Sequence, residues 1–170
     1  MVLARLILEQ QVGVVPVYKK MPPDLDAMLA VADAAVLIGD PALRATLVDG
    51  PARGLTVVDL GGAWKEWTDL PMVFAVWAVR RAYAVARPDS LAGVRAAFRR
   101  SLAASAAHPS DVARAAAAGS DFDADQLARY FGALDFALGP RQRAGVAEFA
   151  ARAAGSLGWS PPPKLSYLDA

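Results

Sequence analysis

The sequence predicts an α/β lobe followed by a helical region. Before residue 60, short β-type runs alternate with helical patterns, which is typical of a parallel sheet with crossover helices. After Pro88 the apolar spacing is helical. The 170 residues are enough to bury a sizeable core, and length alone leaves open both a single helical core and a two-lobed fold.

The first 60 residues supply the α/β elements in order. Apolar residues in 2–11 recur at helical spacing, so the chain begins in a helix. Asp24, after two prolines, is the expected N-cap of a helix over 25–32. Three β-type runs are predicted as strands: 12–18, 34–38 and 55–60.

The segment from Asp59 to Arg81 holds three of the four tryptophans and crosses to the helical region. Its apolar part, 71–81, fits strand or helix by periodicity, and we favour an extended start that becomes strand or helix near Trp77. Caps and prolines then predict four helices, over 91–106, 111–118, 124–131 and 141–157. The proline-rich stretch 160–164 is expected to be an extended linker.

Composition narrows the class of protein. Lys and Arg total 18 against 17 Asp and Glu, so bulk charge recruits neither nucleic acid nor anionic membranes, and we expect neither as a partner. There is no cysteine, and His108 is the only histidine, so we predict no metal and no histidine triad. The N-terminus lacks a signal-peptide pattern and no apolar run reaches membrane-span length, which favours a cytoplasmic protein.

Several motifs follow one another in a particular order and spacing along nearly the whole chain. They are Asp59-Leu60-Gly61, Trp64, Trp67-Thr68, Leu70-Pro71, Val73-Phe74-Ala75-Val76-Trp77, Pro23 to Leu29, Leu37 to Leu43, and Tyr130 to Gly139. Together they resemble one family, the MqnA chorismate dehydratases of the futalosine menaquinone pathway.

This resemblance implies a periplasmic-binding-protein type II-like fold with two α/β lobes and a cleft between them. Members are longer at the N-terminus by roughly a hundred residues, so we expect part of the first lobe to be missing. The expected division is a remainder of the second lobe in 1–58, a crossover or hinge in 59–81, and a helical C-terminal part in 82–170 that packs on the first lobe. The implied reaction converts chorismate to 3-[(1-carboxyvinyl)oxy]benzoate and water, without a cofactor.

Six residues are the candidate site. Asp40 is the candidate catalytic base because Gly39-Asp40 follows a predicted buried strand, where open sheets bind ligands; the alternative is a turn in which Asp40 caps a helix over 42–47. Thr68 either donates its hydroxyl to a substrate carboxylate or caps a turn. The other candidates are expected to line the cleft; they are Ile38, Gly39, Phe74 and Trp77. For the two aromatic residues, Phe74 and Trp77, packing in the core is the alternative.

Two expectations concern what the chain does as a whole. The first function is chorismate dehydration, and the alternative is a non-catalytic binding module for aromatic carboxylates, either receptor-like or a one-lobe remnant. An incomplete lobe would also leave sheet edges and apolar surface uncovered, so we expect the isolated chain to associate with itself.

Overall fold

In the computed structural model, residues 1–160 and 165–168 are described, and within these ranges every regular element is helical. The chain divides into two compact units. Unit 1 comprises Met1–Phe74 and Ala137–Ala170, and unit 2 comprises Ala75–Phe136. The chain passes between the units twice: the first boundary, after Phe74, lies inside the predicted crossover segment 59–81, and the second follows Phe136.

The described residues of unit 1 form six α-helices and two π-helical turns. The helix α1 (Val2–Leu6) continues into the first π-helical turn, Ile7–Val12. The second π-helical turn, Ala45–Asp49, joins α3 (Asp40–Arg44) to α4 (Gly50–Arg53) in one unbroken helical stretch. The helices are α1 (Val2–Leu6), α2 (Leu25–Leu29), α3 (Asp40–Arg44), α4 (Gly50–Arg53), α5 (Leu60–Thr68) and, from the end of the chain, α10 (Pro140–Leu157).

Aspartate caps start two of these helices. The Asp24 carboxylate accepts a hydrogen bond from the Ala27 amide at 3.0 Å, which confirms the predicted N-cap of α2. The Asp59 carboxylate accepts from the amides of Gly61 and Gly62 at 3.1 and 3.2 Å, and so fixes the start of α5. These caps satisfy amide groups that have no partner within the helix.

The core of unit 1 is built around Trp64, which is fully buried. Its ring meets Trp67 and Phe149 edge to face, at centroid separations of 5.7 and 6.0 Å. Leu3 and Ile7 pack against it from the N-terminal helix. The tryptophans therefore bring the first and last helices of the unit onto α5.

A close backbone contact fixes α10 in this unit. A Cβ built on Gly145 would lie 2.1 Å from the carbonyl oxygen of Pro71, so only glycine fits there. Two residues before Pro71, the Asp69 carboxylate pairs with the Arg141 guanidinium at 3.3 Å. The turn after α5 is therefore held against α10 by shape and by charge.

Unit 2 is made of four helices: α6 (Arg81–Ala86), α7 (Pro88–Ala107), α8 (Pro109–Ala117) and α9 (Ala124–Gly132). The helices α8 and α9 pack against each other, and the buried residues of this unit are Ala113 on α8, Leu127 on α9 and Phe122 between the two helices. A capping box joins Asp123 and Gln126 at the start of α9. The 20 residues of α7 include none that is buried.

The predicted α/β two-lobed fold is wrong, because residues 1–160 and 165–168 contain no strand and no sheet. The segments 13–18, 34–38, 55–59 and 71–79 stay outside helices, but none pairs with another, and Val12 ends the first π-helical turn. Valine-rich runs show only a preference for a pleated surface, and a strand exists only when a neighbour completes its hydrogen-bond ladder. Val17 is fully exposed and Ile38 is 85 % exposed, so no layer covers them either.

The helical predictions fare better. Helices occur at all six predicted places, with bounds shifted by a few residues. The helix α7 begins at Pro88 and α8 begins at Pro109, a few residues before the predicted starts at 91 and 111. Proline is favoured at the first helical position because no amide partner is needed there. The predicted linker at 160–164 lies, apart from Ser160, outside the described residues.

No helix in the described part of the chain combines the length and the apolarity needed to cross a membrane.

Candidate functional site

A partly open cavity of unit 1 lies beside the candidate base. It has a volume of about 270 Å³ and lies between α2 and the helical stretch 40–53. Both chain neighbours of the predicted segment 38–40 contribute to its wall. The lining residues are Pro23, Asp24, Leu25, Asp26, Leu37, Pro41, Arg44, Asp49 and Arg53.

The start of α3 explains how Asp40 is placed. Gly39 has φ 69° and ψ −148°, a conformation that favours glycine, and it turns the chain directly into the helix. Asp40 is the first residue of α3 and Pro41 follows it, so the helix begins without a side-chain cap. The alternative in which Asp40 is an N-cap does not occur, because Gly39 holds that position. Asp40 is exposed, next to the cavity wall.

Two arginines give the cavity its cationic groups. The Arg53 guanidinium donates to the Asp26 carboxylate at 2.7 Å, and Arg44 Nε lies 3.8 Å from the Asp49 carboxylate. Asp26 is largely exposed, so its contact with Arg53 is open to water on one side. Guanidinium groups with partly exposed carboxylate partners can exchange those partners for the carboxylates of a ligand.

The other candidates are not among the residues that line this cavity. Ile38 is exposed and precedes Gly39 on the same segment. The Thr68 hydroxyl donates to the Trp64 carbonyl at 2.8 Å and accepts from the Leu70 amide at 3.2 Å, so it holds the end of α5. Phe74 is 68 % exposed, and its ring edge lies over Gly61 at the start of that helix.

Trp77 belongs to unit 2. Its ring stacks on Phe98 of α7, with centroids 4.4 Å apart and an interplanar angle of 29°. Despite this contact Trp77 is 85 % exposed. The structure therefore places Ile38, Gly39 and Asp40 together, while Thr68 and Phe74 lie around α5 in the same unit and Trp77 lies in the other.

The tryptophans at the heart of unit 1 have a packing role. Trp64 and Trp67 belong to the core of α5, as packing residues rather than a cleft wall. The Arg152 guanidinium lies 4.0 Å from the Trp67 ring centroid and pairs with Glu148 at 2.6 Å. This cation–π contact adds to the attachment of α10.

Sequence reasoning missed the two cavity arginines. Arg44 follows Asp40 by four residues, which places both on one side of a helix, and this spacing was a usable signal. Arg53 offered none, because its place depends on α4 folding back to Asp26, which is 27 residues earlier in the chain.

A comparison with known protein families matches residues 1–155 to the family described as menaquinone biosynthesis. The match includes every residue of the cavity and all six candidates. It agrees with the resemblance carried by the tryptophan segment and extends across both units. The chain therefore belongs to the menaquinone biosynthesis family, and its role is in the synthesis of menaquinone.

Proposed function

We propose that the protein is a chorismate dehydratase, a lyase that converts chorismate to 3-[(1-carboxyvinyl)oxy]benzoate and water in the futalosine branch of menaquinone synthesis. The family match over residues 1–155 carries this proposal. The specific reaction is inferred from the tryptophan segment and the Leu37 to Leu43 stretch, because both resemble the corresponding motifs of chorismate dehydratases.

The reaction makes modest demands on the protein. A base takes the proton from the ring carbon that bears the enolpyruvyl ether, hydroxide leaves the neighbouring carbon, and the electron pair of the broken C–H bond forms the new ring double bond. Proton and hydroxide together make the released water. Since aromatisation favours the product, the protein has to bind the carboxylates, hold the ring and place the base.

The cavity beside α3 supports an assignment of these tasks. Arg53, and with it Arg44, would bind a carboxylate of chorismate in exchange for their aspartate partners. Asp40 would act as the base from the first turn of α3, next to Pro41 in the cavity wall. Gly39 leaves room for the ligand to approach the backbone, since nothing lies within 4 Å of its Cβ position.

Turnover of chorismate by the purified chain tests the proposal. The product is followed by liquid chromatography with mass detection. We expect Asp40→Asn to lower kcat at least about a hundredfold with little change in KM, as loss of a general base does. Arg53→Gln should raise KM instead, and Arg53→Lys should recover part of the affinity. Asp33→Asn is the matched control, since Asp33 is exposed and does not line the cavity.

Two outcomes would contradict the proposal. If the folded protein binds chorismate in calorimetry but releases no product, it is a binding module for aromatic carboxylates. If Asp40→Asn and Asp33→Asn have the same kcat as the wild type, Asp40 is not the base.

A further inference from the structure

We propose that unit 2 is a dimerisation module in which a second copy of this chain covers α7. The basic surface is the exposed side of residues 75–107, and the acidic surface is the exposed side of residues 108–136. The basic surface of one copy would pack on the acidic surface of the other copy. A two-fold axis would form this contact twice.

The helix α7 is the first observation. With 20 residues it is about 30 Å long. Its apolar residues recur every three or four positions and so form one stripe, yet none is buried. The stripe consists of Leu91, Val94, Phe98 and Leu102. Trp77 stacks on Phe98 and extends this apolar stripe with an 85 % exposed indole.

Charge is the second observation. Residues 75–107 hold six arginines and one aspartate, a net charge of +5, although the whole chain carries only +1. Residues 108–136 hold five aspartates and two arginines, a net charge of −3. The acidic surface also exposes large apolar side chains, namely Val112, Tyr130, Leu134 and Phe136. Each surface thus offers apolar area together with the charge that the other lacks.

The charges select this arrangement over a contact between two α7 helices. Arg95 and Arg99 flank the apolar stripe, one turn apart, so α7 against α7 would bring four arginines together. On α9, Asp125 lies two residues before the buried Leu127 and therefore on the outward side of the helix. The pairing of α7 with α9 joins opposite charges at both copies of the contact.

Sedimentation equilibrium across about 1–200 µM protein tests the proposal. A dissociation constant within this concentration range corresponds to a free energy of association that a contact of this kind can supply. We expect a mass that rises from 17.8 kDa towards twice that value. We also expect a dissociation constant that increases when salt is raised from about 50 to 500 mM, since salt screens exposed charges.

Charge-reversal variants identify the surfaces. Arg95→Glu and Asp125→Lys should each weaken the dimer at least about tenfold, and an equimolar mixture of the two variants should associate again, because the mixed contact restores opposite charges. Arg100→Glu is the matched control. It makes the same change of charge on the side of α7 that faces away from the apolar stripe. Far-UV circular dichroism shows whether each variant keeps its helices.

Any of three results would overturn the proposal. One is a wild-type chain that stays monomeric throughout the concentration range. Another is an equal effect of Arg95→Glu and Arg100→Glu. The last is a monomer that binds vesicles containing phosphatidylglycerol through Arg95, which would assign the basic surface to a lipid headgroup.

Discussion

Substitution of Gly145 by alanine is the sharpest test of how unit 1 is packed. The added Cβ would lie 2.1 Å from the Pro71 carbonyl oxygen, whereas real contacts of this kind stay beyond 3.0 Å. The carbonyl must therefore move by about 1 Å, in a packed interior that resists such shifts. The Asp69–Arg141 ion pair, two residues away, holds the same turn in place.

The magnitude follows from two opposed effects. Overpacking costs about 1–3 kcal/mol, and alanine in place of glycine within a helix returns up to about 1 kcal/mol. We expect a net loss of about 1–2 kcal/mol in the free energy of unfolding, which lowers Tm by about 3–6 °C in a chain of this size. Urea unfolding measures the loss, followed by tryptophan fluorescence and by circular dichroism at 222 nm.

The same helix provides the control. Gly155 lies ten residues further along α10, and no described residue lies within 4 Å of its Cβ position. Gly155→Ala should stabilise the protein by about 0.5–1 kcal/mol. If Gly145→Ala proves as stable as Gly155→Ala, the approach of Pro71 to α10 does not exist in solution.

Three further predictions follow from single side chains. Trp64→Phe should cost less than about 1.5 kcal/mol, against about 3–5 kcal/mol for Trp64→Ala, because the buried Nε1 has no hydrogen-bond acceptor among the described residues and phenylalanine removes this unpaired donor; thermal melts compare the two. Asp123→Ala breaks the capping box of α9 and should cost about 1–2 kcal/mol in urea unfolding, while Asp125→Ala, in the first turn of the same helix, should cost clearly less. Burial and, second, the hydrogen bond to Glu9 raise the pKa of Tyr18 in the folded protein. The protonated phenol therefore stabilises the fold at pH values below the ordinary tyrosine pKa, and this stabilisation is lost as the pH rises through the higher pKa of the folded state. Glu9→Gln should move the Tyr18 pKa down, read at 295 nm as a difference from Tyr18→Phe; an unchanged titration would contradict the contact.

Local chemistry explains which elements the sequence could predict. Asp24 and Asp123 satisfy amides that lie within three residues of them, and Pro140 starts a helix through its own ring. None of these effects depends on the rest of the chain, so they are predictable from a short window. The candidate segment Ile38 to Asp40 was chosen on a different ground, because it follows a run predicted to be a buried strand, and the described residues contain no strand there.

Motif order, spacing and near neighbours in the sequence were enough to identify the family and six of the helical segments. Tertiary structure decided the fate of the β-type runs, which need a partner strand that local preference cannot supply. It also decided that Trp64 belongs to a core and that Arg53 joins Asp26 at the cavity. Those contacts join residues far apart in the chain, and their energy exists only after folding has brought them together.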